Sequence, residues 1–469
     1  MIFLGTRRAG VGGQDARPFT GAGSIDHGVI LSPHRRSRVQ GLAPASSVES
    51  EVIESTGRVS VRTTGGWAAE GWFAEKMNVS GLKAQVIRSP DELETIRVRW
   101  NDLLASYPLA TTFSTPEWLI PWWRSFGNDQ QLLVVCFLDV DSRLVALAPL
   151  SWARIQVAKA VPLKRLRFMG DGSQDSDNLD LPVRPGFEDR FADSLLGFLR
   201  SERGSWDFCE LNTLPPQSPG ANALWRALGS KKWTRIEKRR PASAIPLAPT
   251  WEEYLSRLSS EDQKNLARYA RRLERRHAVA IYRCSEESQL PKCLESLFVH
   301  HQARWQAAGE SGSFGSAERR TFYFELSRRL LAQGRLDLWV LELDGKVAAA
   351  QFGFRYRDRV FQLQEGNDPA HASDRVGFLL RGHVMKELIA QGVRTYDFLG
   401  GALGYKANWG AEAGHYLDLR FARPFSAGAA HLRAQLYAGH SKSWLRRTLP
   451  KSAWQFLHRA KVKLHREER

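Results

Sequence analysis

The chain has 469 residues, too many for one ordinary hydrophobic core, so two globular domains with tails are expected. An apolar fraction of 43% excludes global disorder, and no apolar run approaches the roughly eighteen residues of a membrane-spanning helix. A net charge of +17 favours acidic partners (phosphate-bearing cofactors, nucleic acid or an anionic membrane face) without choosing among them. Cys136, Cys209, Cys284 and Cys293 show no CxxC spacing. Reduced core thiols of a cytoplasmic protein fit them better than a zinc site or a disulfide framework. No basic region, apolar core and cleavage site open the chain, so secretion is not indicated.

Residues 1–79 are rich in Gly, Arg, Ser and Thr without periodicity and read as a disordered extension, or as residues ahead of a true start at Met77. A first domain is expected over 80–240. Acidic Asp91 and Glu92 open a helix running to Ser106, and an aromatic helix follows Pro116. Next come a hairpin over 132–152, a strand at 166–168, a helix over 187–200 and a strand over 206–211. A second domain is expected over 241–428, with a basic helix over 260–276 and helices over 290–308 and 317–333. It continues with a hairpin over 336–354 that turns at Asp344-Gly345, a strand over 360–365, a helix over 375–391 and a strand over 395–399. A basic helical tail, 429–469, closes the chain; residues 441–469 hold nine Lys/Arg against two Glu, a composition suited to an anionic membrane face. The two domains share an order of elements. Trp206-Asp207-Phe208 answers Tyr396-Asp397-Phe398 after a helix ending near glycine in both, which favours duplication.

The strongest local signal is Tyr396-Asp397-Phe398-Leu399-Gly400-Gly401, followed by Gly404-Tyr405-Lys406 and Asn408-Trp409-Gly410. A strand here runs into a glycine-rich turn, where reacting groups tend to sit. Upstream, Arg375-Val376-Gly377-Phe378 opens a helix and partly matches the (Arg/Gln)-x-x-Gly-x-(Gly/Ala) loop of the GNAT acyltransferases, without its final small residue. Together with Phe113-Ser114-Thr115-Pro116-Glu117-Trp118, His301-Gln302-Ala303-Arg304-Trp305 and Gly366-Asn367-Asp368-Pro369, these segments resemble the duplicated GNAT-like proteins of the CelD-type acetyltransferase family. The Asp-Phe strand with Tyr405-Lys406 is also similar to the Fem-type aminoacyltransferases, which take amino acids from charged tRNA.

The resemblance implies an α/β (α+β) fold of two tandem GNAT-like domains, each a mixed sheet flanked by helices. It implies an acyltransferase that uses acetyl-CoA or another acyl-CoA as co-substrate, needs no metal, and acts on an amine or hydroxyl acceptor. A sugar-containing precursor of a polysaccharide or the cell envelope is the acceptor class it suggests, with tRNA a partner only in the Fem-type alternative. A third alternative keeps the fold as a non-catalytic accessory of polysaccharide synthesis. Glu365, Asp397, Tyr405 and Lys406 are the catalytic candidates: a carboxylate for the base, Tyr405 for the leaving group, Lys406 for the oxyanion or a donor phosphate. Arg375, Val376, Gly377 and Phe378 are expected at the donor, and Arg304, Trp305 and Trp409 at the acceptor. On a strand Asp397 points opposite to Tyr396 and Phe398. Adjacent His300 and His301 diverge on a helix, so no metal is expected there.

Overall fold

The computed structural model describes residues 76–77, 81–157, 161–307, 309 and 312–448, with side chains placed as far as residue 438. The expected N-terminal extension and most of the basic tail lie outside these residues, apart from Lys76–Met77 and a helix that continues to Thr448. The first half contains β1 (Lys76–Met77), β2 (Lys83–Ile87), α1 (Pro90–Thr95), α2 (Arg97–Ser106), α3 (Pro116–Phe126), β3 (Gln131–Leu138), β4 (Leu144–Val157), β5 (Val161–Phe168), α4 (Glu188–Ser201), β6 (Phe208–Leu214) and α5 (Pro219–Ser230). The second contains β7 (Thr234–Pro246), α6 (Trp251–Ser256), α7 (Ser260–Glu274), β8 (Val279–Arg283), α8 (Leu290–Ala307), α9 (Ala317–Ala332), β9 (Leu336–Leu343), β10 (Lys346–Tyr356), β11 (Arg359–Asn367), α10 (Val376–Ala390), β12 (Thr395–Gly400), β13 (Glu412–Ala422) and α11 (Ala427–Thr448). The helix expected up to Ser106 is two helices, because the backbone leaves helical geometry at Ile96.

Among the described residues, thirteen strands join one sheet in the order β1-β2-β3-β4-β5-β6-β13-β7-β12-β11-β10-β9-β8. The order is nearly mirrored about the β13/β7 pair. In each half the outer strands are antiparallel and the innermost pair, β5 with β6 or β11 with β12, is parallel. The antiparallel pair β13/β7 then serves both halves, β13 bonding to β6 and β7 bonding to β12.

Local chemistry explains the elements that position the site. Asp344 and Gly345 both take positive φ (52° and 79°), the twist a two-residue hairpin turn requires between β9 and β10. Ser259 caps α7 by accepting from the Asp262 amide at 3.1 Å, and Glu261 and Asp262 occupy its positive end. Leu273 of α7 is buried while Leu266 and Tyr269 pack beside the same core, so its arginines lie on a solvated face above an apolar stripe. One core cluster joins the halves. Trp118 meets Phe113, Phe354 and Phe322 with centroids 4.6, 5.2 and 5.3 Å apart, so aromatics from α3 and the turn before it pack on β10 and α9. The four cysteines are buried, unpaired thiols.

Candidate active site

β11 and β12 pair over only three positions, Arg359–Phe361 against Thr395–Asp397. Beyond them β11 carries a bulge. Phe352 of β10 faces Gln364 while its neighbour Gly353 faces Gln362, which leaves Leu363 extra. The strands then part, and the gap opens toward the start of α10. There a 3-10 turn (Pro369–Asp374) is capped by Asp368, whose side chain accepts from the Ala370 amide at 2.9 Å. Arg375 takes the left-handed conformation (φ 58°) as the N-cap of α10 and supplies no side-chain cap. The first-turn amides of α10 are therefore left without a side-chain acceptor, an arrangement that favours anions. A Cβ on Gly377 would lie 2.4 Å from Asn367 Oδ1, so glycine is what lets that amide side chain lie against the first turn. Asp374 is kept from opposing an anion by Arg276 at 2.8 Å and Arg272 at 3.4 Å.

In front of this helix start lies a cavity of about 410 Å³. It brings together Arg375, Gly377 and Phe378 with Glu365, Tyr405, Arg304 and Trp409, seven residues expected from sequence to act at the donor, the reaction and the acceptor. α7 supplies Asp262, Asn265 and Tyr269 as a further wall. The Trp409 ring packs on Phe378 at 4.8 Å, and Tyr254 donates to its carbonyl at 2.9 Å.

Arg381, which sequence reasoning missed, occupies the centre. It is 5% exposed and pairs closely with Glu365, which also binds Arg304 at 3.1 Å. Its guanidinium stands 5.4 Å from the Phe398 and Tyr405 centroids and 5.7 Å from that of Trp409. Burial works against this charge, but Glu365 outweighs it and pushes the Arg381 pKa up. The one signal available was spacing, since Arg381 follows Gly377 by four residues and shares its helix face. Burial, seconded by Glu365, pushes the Tyr405 phenol up, so it holds its proton at neutral pH and can give one.

The other candidates lie apart from this cavity. Tyr396 and Phe398 pack in the core beneath α10, and Asp397 points to the opposite face of the sheet, as alternation requires. Asp397 lines a second cavity of about 510 Å³ at the seam of the two halves. It accepts from the Leu399 amide at 2.8 Å, faces Arg359 at 3.4 Å, and is pushed up to about 6 by burial. Lys406 is 9% exposed; its ammonium donates to the carbonyls of Phe398 at 3.2 Å and Gly400 at 3.4 Å, fastening the end of β12. Burial pushes the Lys406 pKa down, with Asp397 and Asp177 opposing. Val376 is buried in the apolar core, and Trp305 donates to His301 Nε2 at 2.9 Å without lining either cavity. His300 instead bonds the Val347 carbonyl at 2.8 Å, so the two histidines do diverge.

Residues 260–407, from α7 to the turn that holds Tyr405 and Lys406, match the model of the acetyltransferase (GNAT) domain family. No curated protein matches the chain. Among solved structures it is similar to FemX, with a TM-score of 0.51 and 10% identity over 69% of this chain and 95% of that one. It is also similar to a tandem GNAT protein from the clavulanic acid biosynthesis pathway (TM-score 0.41, 14% identity, 73% of this chain and 98% of that one). A third likeness is to L-PGS from Bacillus licheniformis (TM-score 0.42, 12% identity, 75% and 97%). At 10% identity the likeness to FemX bears on fold alone. The chain has a mixed α/β GNAT fold, and residues 260–407 in its second half match a GNAT acetyltransferase domain.

Proposed function

We propose that the protein transfers an acyl group from an acyl-CoA to an amine or hydroxyl acceptor. The observation that carries this reading is the start of α10: uncapped amides, flanked by Arg375 and Gly377, facing a basic and aromatic cavity at the gap between two parting strands. The donor's diphosphate sits on those amides and its thioester reaches into the gap. The acceptor attacks the carbonyl, the new C–N or C–O bond replaces the C–S bond, and Tyr405 gives the leaving thiolate its proton. Glu365 has guanidinia on both carboxylate oxygens and serves to position them. Asp397 faces the seam cavity on the other side of the gap, so it is the carboxylate that would take the proton of an acceptor entering from that cavity to meet the thioester in the gap. In the first half the start of α4 is unsuited to the same task, because Glu188 and Asp189 in its first turn would repel a diphosphate. For the acceptor, resemblance to the CelD-type family suggests a sugar-containing precursor of an envelope polysaccharide.

Thiol release from acetyl-CoA, followed with a panel of amino-sugars and nucleotide-linked sugars, tests this reading. Gly377→Asp, which puts a carboxylate on the diphosphate position, is expected to abolish release; unchanged release in that variant would sink the donor assignment. With Asp397 as the base, turnover rises with pH through about 6 and loses that rise in Asp397→Asn. A profile that keeps the rise in the variant assigns the base elsewhere.

A second reading, aminoacyl transfer from charged tRNA, is favoured by one observation. The arginine-rich face of α7 adjoins the donor cavity, with Arg268 and Arg272 stacked on Tyr269 at 4.9 and 5.2 Å. Displacement of bound coenzyme A by uncharged total tRNA, but not by a polyanion such as heparin, would move the assignment there. Saturable donor binding with no transfer to any acceptor would instead favour an accessory role.

A further inference from the structure

The donor cavity holds more positive than negative charge: Arg304, Arg375 and Arg381 against Glu365 and Asp262. Arg375 stands at the helix start, on the diphosphate side. Arg304 and Arg381 both converge on Glu365, and among the described residues neither has an ion pair with any other carboxylate. One carboxylate thus answers two guanidinia, and a full positive charge at this point has no counter-ion of its own. The buried guanidinium, Arg381, is paired by Glu365, so the surplus charge is that of Arg304, which is 49% exposed and open to a ligand.

Position says which part of a ligand would meet it. A helix rises about 1.5 Å per residue, so Arg381 lies roughly 6 Å past Gly377, deeper in the gap than the diphosphate site. It sits between Glu365 of β11 and Phe398 of β12, where the acyl end of a donor would enter. Its walls are Phe398, Tyr405 and Trp409, and its buried Nε has no hydrogen-bond partner among the described residues, which leaves that edge for a planar partner. An acetyl group would bring only a methyl to this charge. An acyl group ending in a carboxylate would complete the pair with two charge-assisted hydrogen bonds.

We propose that the acyl group this site selects ends in a carboxylate, a dicarboxylic acyl thioester, held by Arg381 and Arg304. This rests on the acyl-CoA reading above and narrows its substrate class.

Calorimetric titration of the full chain with coenzyme A, acetyl-CoA and freshly prepared succinyl-CoA tests it. Succinyl-CoA is expected to bind about tenfold more tightly than acetyl-CoA. That ratio is expected to shrink in Arg304→Gln, whose parent side chain is 49% exposed and whose loss the fold should tolerate, and to vanish in Arg381→Met. Circular dichroism and thermal unfolding establish that each variant is folded, and the Arg304 variant carries the test if Arg381→Met is not. Equal affinity for the two thioesters in the parent chain overturns the proposal while leaving the acyl-CoA reading intact, and is the result expected if the carboxylate belongs to the acceptor. A preference that persists unchanged in the folded variants overturns it as well. No affinity for coenzyme A or either thioester overturns the donor reading and this inference with it.

Discussion

Truncating Trp118 to alanine is expected to cost about 3–5 kcal/mol of unfolding free energy, the range for removing a buried aromatic. The side chain is fully buried, and it is the common neighbour of Phe113, Phe354 and Phe322, which come from three separate parts of the chain. Its indole N–H also donates to Ser176 Oγ at 2.9 Å, fixing the loop that leads to Asp177, whose carboxylate accepts from the Gly400 amide at 2.8 Å. One residue therefore ties the first half to the end of β12. Chemical denaturation checks this, with Trp118→Phe losing much less because most of the apolar contact survives. A loss under about 1 kcal/mol in the alanine variant would mean that the two halves hold together without this cluster.

The second large effect is at Glu365. Replacing it with glutamine removes the only carboxylate ion-paired with Arg381 among the described residues and leaves that guanidinium buried without a counter-charge. Breaking such a pair on one side costs on the order of 3 kcal/mol. Replacing both partners together, as Glu365→Leu with Arg381→Met, is expected to recover most of that loss, since neither charge is then stranded. The comparison separates structure from chemistry. If Glu365 positions the guanidinia, turnover in the single variant falls with donor affinity. If it is the base, turnover falls with donor affinity unchanged. A double variant no more stable than the single one would show that the pair is not what makes the substitution costly.

The elements with plain periodicity were legible. The hairpin at Asp344-Gly345, the helix after Arg375 and the strand ending in Gly400 stand where their patterns put them, and strand alternation placed Asp397 opposite Tyr396 and Phe398. The strand pair at the seam was not. β7 carries Arg235, Glu237, Lys238, Arg239, Arg240 and Pro241, a composition that reads as a linker, and it becomes a strand because β12 and β13 bond to it on either side. The bulge at Leu363 was equally hidden. In an unbroken strand Glu365 would share a face with Arg359 and Phe361, and the extra residue turns it to the α10 side. Arg381 escaped notice because a single arginine on a helix that also carries His383, Lys386 and Glu387 makes no motif, and only the fold shows what it faces.

The proposed donor site sets the first turn of α10 against the diphosphate of an acyl donor. The most direct measurement is a crystal structure of the full chain soaked or grown with coenzyme A. The predicted result places the diphosphate on the amides of Gly377 and Phe378 and the thiol arm in the gap beyond Phe361 and Asp397. Coenzyme A found instead in the seam cavity beside Asp397, or a site left empty at saturating ligand, would contradict it.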